Sequence, residues 1–263
     1  MGTAIAFLIL ACWAGHLAYA LLDTSLGWTN PAAYFHLALQ SYLTTGLFIT
    51  AHDAMHGSVS RNKTLNAGIG YIACFCFAGF SYRRLLTNHR LHHAAPASAS
   101  DPDFNVASQS FWRWLAAFAF RYATWLQLII MAAIYNLFQH GFGISEARIW
   151  MMWMLPSLFG TLQLFYFGTY LPHRTARTEL EATLMQPYHA RTLTIKSLML
   201  ATPHGWARYR FIDHGWAMLS CYFFGYHWEH HHAPHRPWWM LWQERNAREA
   251  TQPERLFSPQ IEP

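Results

Sequence analysis

The chain has 263 residues, 53% of them hydrophobic and 12% charged, with a formal net charge of +5. Soluble domains average about 25% charged residues, so this composition argues against a water-soluble globular protein and for a membrane protein. The basic excess does not indicate nucleic acid: no nucleic-acid motif is present, and basic flanks beside apolar runs act as orientation signals.

Four apolar runs follow one another, each close to the roughly 20 residues that a helix needs to cross a bilayer core. They are 4–22 (AIAFLILACWAGHLAYALL), 32–51, 122–138 and 149–172. The first lacks a basic n-region and an evident cleavage site, so it reads as a retained helix rather than a signal peptide. Two shorter runs lie between the boxes described below. Residues 65–82 carry three glycines and suit a re-entrant or interfacial segment, and 215–226 is too brief to span. If the four long runs span, 17 of the 18 Lys and Arg residues fall on one side and only Arg148 on the other. The positive-inside rule makes that side cytoplasmic. The expected architecture is an all-α integral membrane protein, residues 1–263 forming one domain. About four transmembrane helices would carry a cytoplasmic helical cap. Cys12, Cys74, Cys76 and Cys221 show no CxxC spacing and read as small buried residues, not as a zinc knuckle or a disulfide framework.

The 17 histidines carry the chemistry. AHDAMHG supplies His52 and His56 at i, i+4. NHRLHHAAP supplies His89, His92 and His93, and YHWEHHHAP supplies His227, His230 and His231, both at i, i+3, i+4. These spacings put each set on one face of a helix, at the ends of apolar runs. Imidazole suits iron, zinc, copper and nickel, and eight or more histidines suit two metal ions rather than one. The four-helix di-iron proteins build a comparable site from Glu and Glu-x-x-His pairs. A clustered pH sensor would not need the same spacing twice. HDAMH differs from the zinc-protease HExxH at Asp53, and such a protease would leave two boxes unexplained. A metal transporter would place ionisable residues near the bilayer midplane, where the first two runs offer only His16 and His36. Those two read as hydrogen-bonded packing residues.

The three boxes resemble those of the membrane fatty-acid desaturase and hydroxylase superfamily. Within it, HDAMHG, HHAAPASASDPDF (92–104), FYFGTYLPHR (165–174), PYHAR (187–191) and YHWEHHHAPHRPWW (226–239) are similar to motifs of bacterial β-carotene ketolases, in the same order. The chain departs from the family pattern at Phe223, where a histidine is usual, and over 194–214, which resembles an insertion. These departures bear on substrate preference and leave the ligands intact. The resemblance implies two Fe2+ ions held by His52, His56, His89, His92, His93, His227, His230 and His231. A ninth imidazole is expected near the end of the fourth run, where His173 is preferred to His189. His232 becomes an extra neighbour. Asp53, Asp101, Asp103 and Glu229 are candidates to accept the free N–H of ligating imidazoles, with turn capping around Pro102 as the alternative for the two aspartates.

The implied reaction uses O2 to hydroxylate ring carbon 4 of a carotenoid twice, the geminal diol losing water to give the ketone. Electrons would come from a separate donor such as ferredoxin, since no flavin or haem-attachment motif is present. Membrane lipids and a bilayer-dissolved carotenoid complete the expected partners, and the bacterial inner membrane, with a cytoplasm-facing site, the expected location. A carotenoid ring hydroxylase or an acyl-lipid desaturase of the same superfamily is the alternative. Phe75, Phe77, Phe80, Phe165, Tyr166 and Phe167 are candidates to line a substrate tunnel, and Trp238 and Trp239 to sit in an interfacial aromatic belt.

Overall fold

The computed structural model describes residues 1–194 and 210–251, with the side chains of 210 and 211 excepted. Most of the insertion-like stretch 194–214 therefore lies outside the described residues. The described residues are helical apart from turns, loops and one isolated antiparallel bridge between Thr192 and Tyr226. They divide into two compact units, Met1–Arg90 with Leu115–Phe165, and Leu91–Trp114 with the chain from Tyr166 onward.

The first unit is built around one long helix. Helix α1 spans Gly2–Leu22 and α2 spans Pro31–Met55. Asn30 starts α2 by accepting a bond from Ala32 N, and Pro31 occupies the first turn, where its missing N–H is not needed. Helices α3 (Lys63–Ala78), α4 (Tyr82–Ala94), α5 (Phe111–Tyr122) and α6 (Trp125–Asn136) follow. A π turn at Leu137–Gly141 extends α6. Then come α7 (Glu146–Ile149), a π turn at Trp150–Met154, and α8 (Leu155–Phe165). Helix α2 packs against α1, α3 and α8. One core, with Ala51, Ala54, Ile69, Ala73, Tyr82 and Leu85, lies beneath the end of α2 that carries the first histidine box. A second gathers Leu17, Ala20, Ile149, Met151, Met152 and Trp153.

Helix breaks shape this unit. Asn62 caps Leu65 N at the start of α3, and Gly79 ends that helix in the left-handed region at φ 67°, where a side chain would be strained. Helices α3 and α4 then meet at a 102° bend, and α5 and the extended α6 at 85°. The expectation of four unbroken spans is met only in part. By length and composition α1 alone could cross a membrane, or three segments if each bent pair forms one span. Residues 65–82 run into the first bend, which suits a broken span as well as a re-entrant segment. Helix α2 is long enough, but it buries Gln40, Ser41, Thr44, Thr45 and Thr50. Its hydroxyls are satisfied along the helix, Ser41 Oγ donating to Leu37 O at 2.6 Å and Thr50 Oγ1 to Gly46 O at 2.8 Å. The fourth run is interrupted by π turns. His16 and His36 are hydrogen-bonded as expected, His16 Nδ1 lying 2.5 Å from Gln40 Oε1 and Nε2 lying 3.0 Å from His36 Nδ1. All four cysteines are free; Cys74 and Cys221 are buried, whereas Cys12 is exposed, against expectation. It sits on an outward face of α1, where it does not enter packing.

The second unit is made of short elements: a π turn at Tyr166–Tyr170, α9 (Leu171–His173), α10 (Glu179–Met185), α11 (Arg210–Cys221), α12 (His227–His232), a 3-10 turn at Trp238–Met240 and α13 (Leu241–Thr251). Gly168, from the FGTY motif, sits so close to the Phe224 ring that a Cβ would collide with it. Leu193 N donates to Gly225 O at 2.8 Å and Arg191 N to Pro172 O at 3.1 Å. These two bonds pin the 190–194 strand-like segment to the residues just before His173 and just before His227.

Candidate metal centre

The first unit holds three of the predicted ligands. His52 lies in the last turn of α2 and His56 caps that helix, one turn further on. His89 comes from α4. His89 Nε2 lies 2.6 Å from His56 Nε2. The three ring centroids are 5.0 Å (His52–His56), 4.6 Å (His52–His89) and 4.7 Å (His56–His89) apart. His52 is buried and the other two are half-buried.

The second unit holds the remaining six. His92, His173, His227 and His231 are all buried, and their ligand nitrogens all lie within 4.8 Å of one another. His92 Nε2 and His231 Nε2 are 3.2 Å apart. Nitrogens bound at about 2.1 Å to one metal sit about 3.0–3.4 Å apart, so the His92 and His231 nitrogens are spaced as two ligands of one ion would be. His93 and His230 form a further pair, Nε2 to Nε2 at 2.9 Å. Adjacent histidines on one helix thus point to different partners. The His92 Nε2 approaches His231 and the His93 Nε2 approaches His230, neighbouring helical residues lying about 100° apart, although the His93 ring also lies 4.3 Å from that of His231.

His173 tests whether these residues fit a metal. Its Nδ1 donates to His189 O at 2.9 Å, which fixes the tautomer and aims Nε2 away. That Nε2 is buried and has no hydrogen-bond partner among the described residues. A buried ring nitrogen with a lone pair and no donor is what a metal ligand looks like without its ion. Burial first, then the nearby histidine His92, push the His173 pKa well below the usual range. Burial and the surrounding His227, His92, His93 and His173 do the same at His231. Both rings therefore stay neutral and able to ligate. His92 differs. Burial works against its charged form, but the hydrogen bond to Asp101 and the charges of Asp103 and Asp101 outweigh this and raise its pKa.

The acidic candidates separate. Asp101 Oδ2 accepts from His92 Nδ1 at 2.9 Å and from Ala97 N at 2.8 Å, and its Oδ1 accepts from Asp103 N at 2.8 Å. It both orients an imidazole and closes the turn around Pro102, so the two readings of this residue hold together. Asp103 joins His92 and Asp101 in a potential ligand group, while its backbone carbonyl accepts from Trp114 Nε1 at 2.8 Å. Asp53 lies 3.9 Å from His52 Nδ1, beyond hydrogen-bond reach. Glu229, fully buried, accepts from Thr192 Oγ1 at 2.6 Å and from Arg248 at 3.2 Å, with Arg245 at 3.7 Å. It braces the back of α12. His232 is exposed, stacks on Trp228 and lies 3.2 Å from Tyr188 Oη.

Two contributions are not foreseen in the sequence, where His189 reads only as a candidate ring ligand and Arg191 only as part of PYHAR. His189 serves through its carbonyl, which no side-chain pattern reveals. Arg191 donates to the carbonyls of Leu171 at 3.1 Å, Arg174 at 2.6 Å and Thr175 at 3.1 Å, and to Glu181 Oε1 at 2.6 Å. It clamps the chain on both sides of His173. Its place in PYHAR was the available signal.

The family model for fatty acid desaturase matches residues 30–258. The chain belongs to the fatty acid desaturase family. It is 33% identical over 241 residues to a protein named β-carotene ketolase from Paracoccus sp. (strain PC1), covering 91% of this chain and 90% of that one. A second β-carotene ketolase, from Paracoccus sp. (strain N81106 / MBIC 01143), is 33% identical over 89% of this chain and 87% of its own length. A zeaxanthin 4-ketolase from Chlamydomonas reinhardtii is 33% identical over 91% of this chain and 52% of its own. No solved structure matches. The boxes of this desaturase-family protein are thus those around which its buried imidazoles gather.

Proposed function

We propose that this protein is an O2-dependent carotenoid 4-ketolase that works with two irons. The observation that carries the reading is the buried cage of His92, His173, His227 and His231, in a chain that matches ketolases over nine-tenths of its length. That cage holds one iron. The resemblance gives His52, His56, His89, His93 and His230 as the remaining ligands. When bound, the irons supply the activation of O2 for oxidation of an unactivated or allylic methylene.

The chain's own residues do the rest. Asp101 keeps the proton of His92 on Nδ1 and so presents Nε2 as ligand; the His189 carbonyl does the same for His173. Burial excludes water from the cage and keeps His173 and His231 neutral. Two hydroxylations at ring carbon 4 give a geminal diol, and loss of water gives the ketone. Each hydroxylation consumes one O2, two protons and two electrons, the electrons arriving from a separate donor, a ferredoxin.

The apolar runs 4–22, 32–51, 122–138 and 149–172 lie in a bacterial inner membrane, with the histidine boxes at its cytoplasmic edge. The basic residues flanking the boxes support that side. The test is pigment analysis of a bacterium that accumulates β-carotene, with and without this chain. Echinenone and canthaxanthin are the expected products, abolished by His230→Ala. Zeaxanthin instead would make the protein a ring hydroxylase. Unchanged β-carotene with well-expressed, iron-loaded protein refutes the ketolase reading and directs the search to acyl lipids.

A further inference from the structure

Three described residues of the first unit have a positive φ, and all three are glycines: Gly57, Gly79 and Gly143. The second unit has four among its described residues, and none is glycine. They are Ala97, His189, Tyr222 and Phe223, at φ 56°, 48°, 49° and 58°. A side chain crowds the backbone in that region, so such residues persist only where their surroundings fix them. Two closely similar helix ends show the contrast. Helix α3 closes with Gly79 N donating to Phe75 O at 2.8 Å and Phe80 N to Cys74 O at 3.2 Å. Helix α11 closes with the same pair, Tyr222 N to Met218 O at 2.9 Å and Phe223 N to Ala217 O at 2.8 Å. The first end uses glycine, as is usual; the second, which leads into the box of His227, uses tyrosine and phenylalanine.

The other two left-handed residues meet the cage directly. Ser98 N donates to Ala95 O at 3.3 Å and closes a turn with Pro96 second and Ala97 third. A positive φ at the third position makes this a type II turn, where glycine is usual. Types I and II differ by a flip of the central peptide, here the one joining Pro96 to Ala97. The left-handed φ therefore decides where the Ala97 N–H points. It points at Asp101 Oδ2, 2.8 Å away, the oxygen that also accepts from His92 Nδ1 at 2.9 Å. At His189 the working group is the carbonyl, which accepts from His173 Nδ1 at 2.9 Å. The N–H of the same peptide, from Ala190, donates to Met185 O at 3.3 Å and so fixes its plane. The His189 ring is exposed, 3.4 Å from Gln186 Nε2.

We propose that Ala97 and His189 are positioning residues of the metal cage. Their left-handed backbone, held against its own preference, sets His92 and His173 in place before an ion arrives. Neither side chain touches the metal; each acts through the peptide group it turns. The inference rests on the two-iron reading above, and goes beyond it in making the cage preformed.

The test is metal binding without turnover. Full-length protein in lipid nanodiscs is stripped of metal, titrated anaerobically with Fe2+ against a competing chelator, and melted before and after loading. A β-branched residue resists the left-handed region most strongly. Ala97→Val and His189→Val are each expected to weaken one of the two Fe2+ ions by at least about tenfold, the usual cost of losing an orienting group. Ala97→Gly and His189→Gly keep the turns, bind both ions within about twofold of wild type and melt no lower when metal-free. A turn that merely closed the chain would lower Tm in the Val variants and leave Fe2+ affinity unchanged, which overturns the proposal. Loss of an ion in His189→Gly overturns it too, because the His189 ring would then be a ligand. The two turns are separate, so either Val variant decides the matter if the other fails to fold. A wild type that binds no Fe2+ sinks the two-iron reading and this inference with it. Wild-type affinity in both Val variants of an iron-binding protein sinks the inference alone.

Discussion

Replacing Arg248 by methionine removes a cation from the back of the last histidine box. Arg248 sits 3.2 Å from Glu229 Oε1, donates to Thr192 Oγ1 at 3.1 Å and to Leu184 O at 3.2 Å, and its guanidinium lies 3.5 Å from the Trp228 ring centroid. Glu229 has no exposed surface and Arg248 only 9%. Removing one partner of a buried ion pair costs about 3–5 kcal/mol, because the other charge is left without compensation. Here Thr192 still donates to Glu229, and Arg245 remains at 3.7 Å. That places the loss at the lower end, about 3 kcal/mol. For a chain of this size each kcal/mol moves Tm by about 2–4 °C, so Arg248→Met should melt about 6–12 °C lower. The assay is thermal unfolding of the purified protein in detergent at a fixed scan rate, since such melts are often irreversible. Iron content of each sample is measured alongside. Glu229→Gln combined with Arg248→Met removes the stranded charge and should recover a good part of the loss. A single variant that melts within about 2 °C of wild type, or a double variant showing the plain sum of both losses, refutes the reasoning.

Three further outcomes follow from the cage. His173→Ala should lose about one of two bound irons by elemental analysis while Arg191 still orders the neighbouring chain; full iron occupancy would remove His173 from the ligand set. Asp101→Asn should weaken metal retention or activity about 10–100-fold, because the carboxylate orients His92, and an effect below about twofold would show that only the turn matters. In the metal-free protein the raised pKa of His92 gives a definite sign. Its pairing with Asp101 contributes stability in full below the ordinary histidine value of about 6.5, and this is lost as pH rises through the raised folded value. Metal binding near pH 6.5 should therefore release a proton from His92 and none from His173 or His231. Calorimetry in two buffers of different ionisation enthalpy measures that release, which Asp101→Asn should abolish; equal release in both proteins would rule out His92 as its source.

Much of the site was legible before any coordinates. The spacings i, i+4 and i, i+3, i+4 are properties of a helix, so the faces of the three boxes followed from local geometry alone. His173 brings its ring into the cage, whereas His189 meets His173 through its backbone carbonyl. The long apolar runs were legible as helices, but their continuity was not. Gly79 at positive φ and the π turns bend or loosen segments that composition makes look uniform, and the polar face of α2 is satisfied partly by its own carbonyls and partly by Trp13, His16 and Gln163 of neighbouring helices.

What the sequence determined was the inventory: imidazoles at helical spacing beside apolar runs, and hence a largely helical chain of this family with histidine clusters able to hold metal ions. What only the tertiary structure decided was the pairing. His92 and His93 are neighbours in sequence, as are His230 and His231, and no pattern says which faces which. Only the packed helices bring His92 to His231 and His93 to His230. The same holds for Glu229, which turns toward Arg248 and Thr192, and for Gln127, whose amide reaches the Ala78 carbonyl only because α6 lies against the end of α3. Helical spacing is a short-range property of the backbone. The partners of a buried polar atom are fixed by elements far apart in the chain.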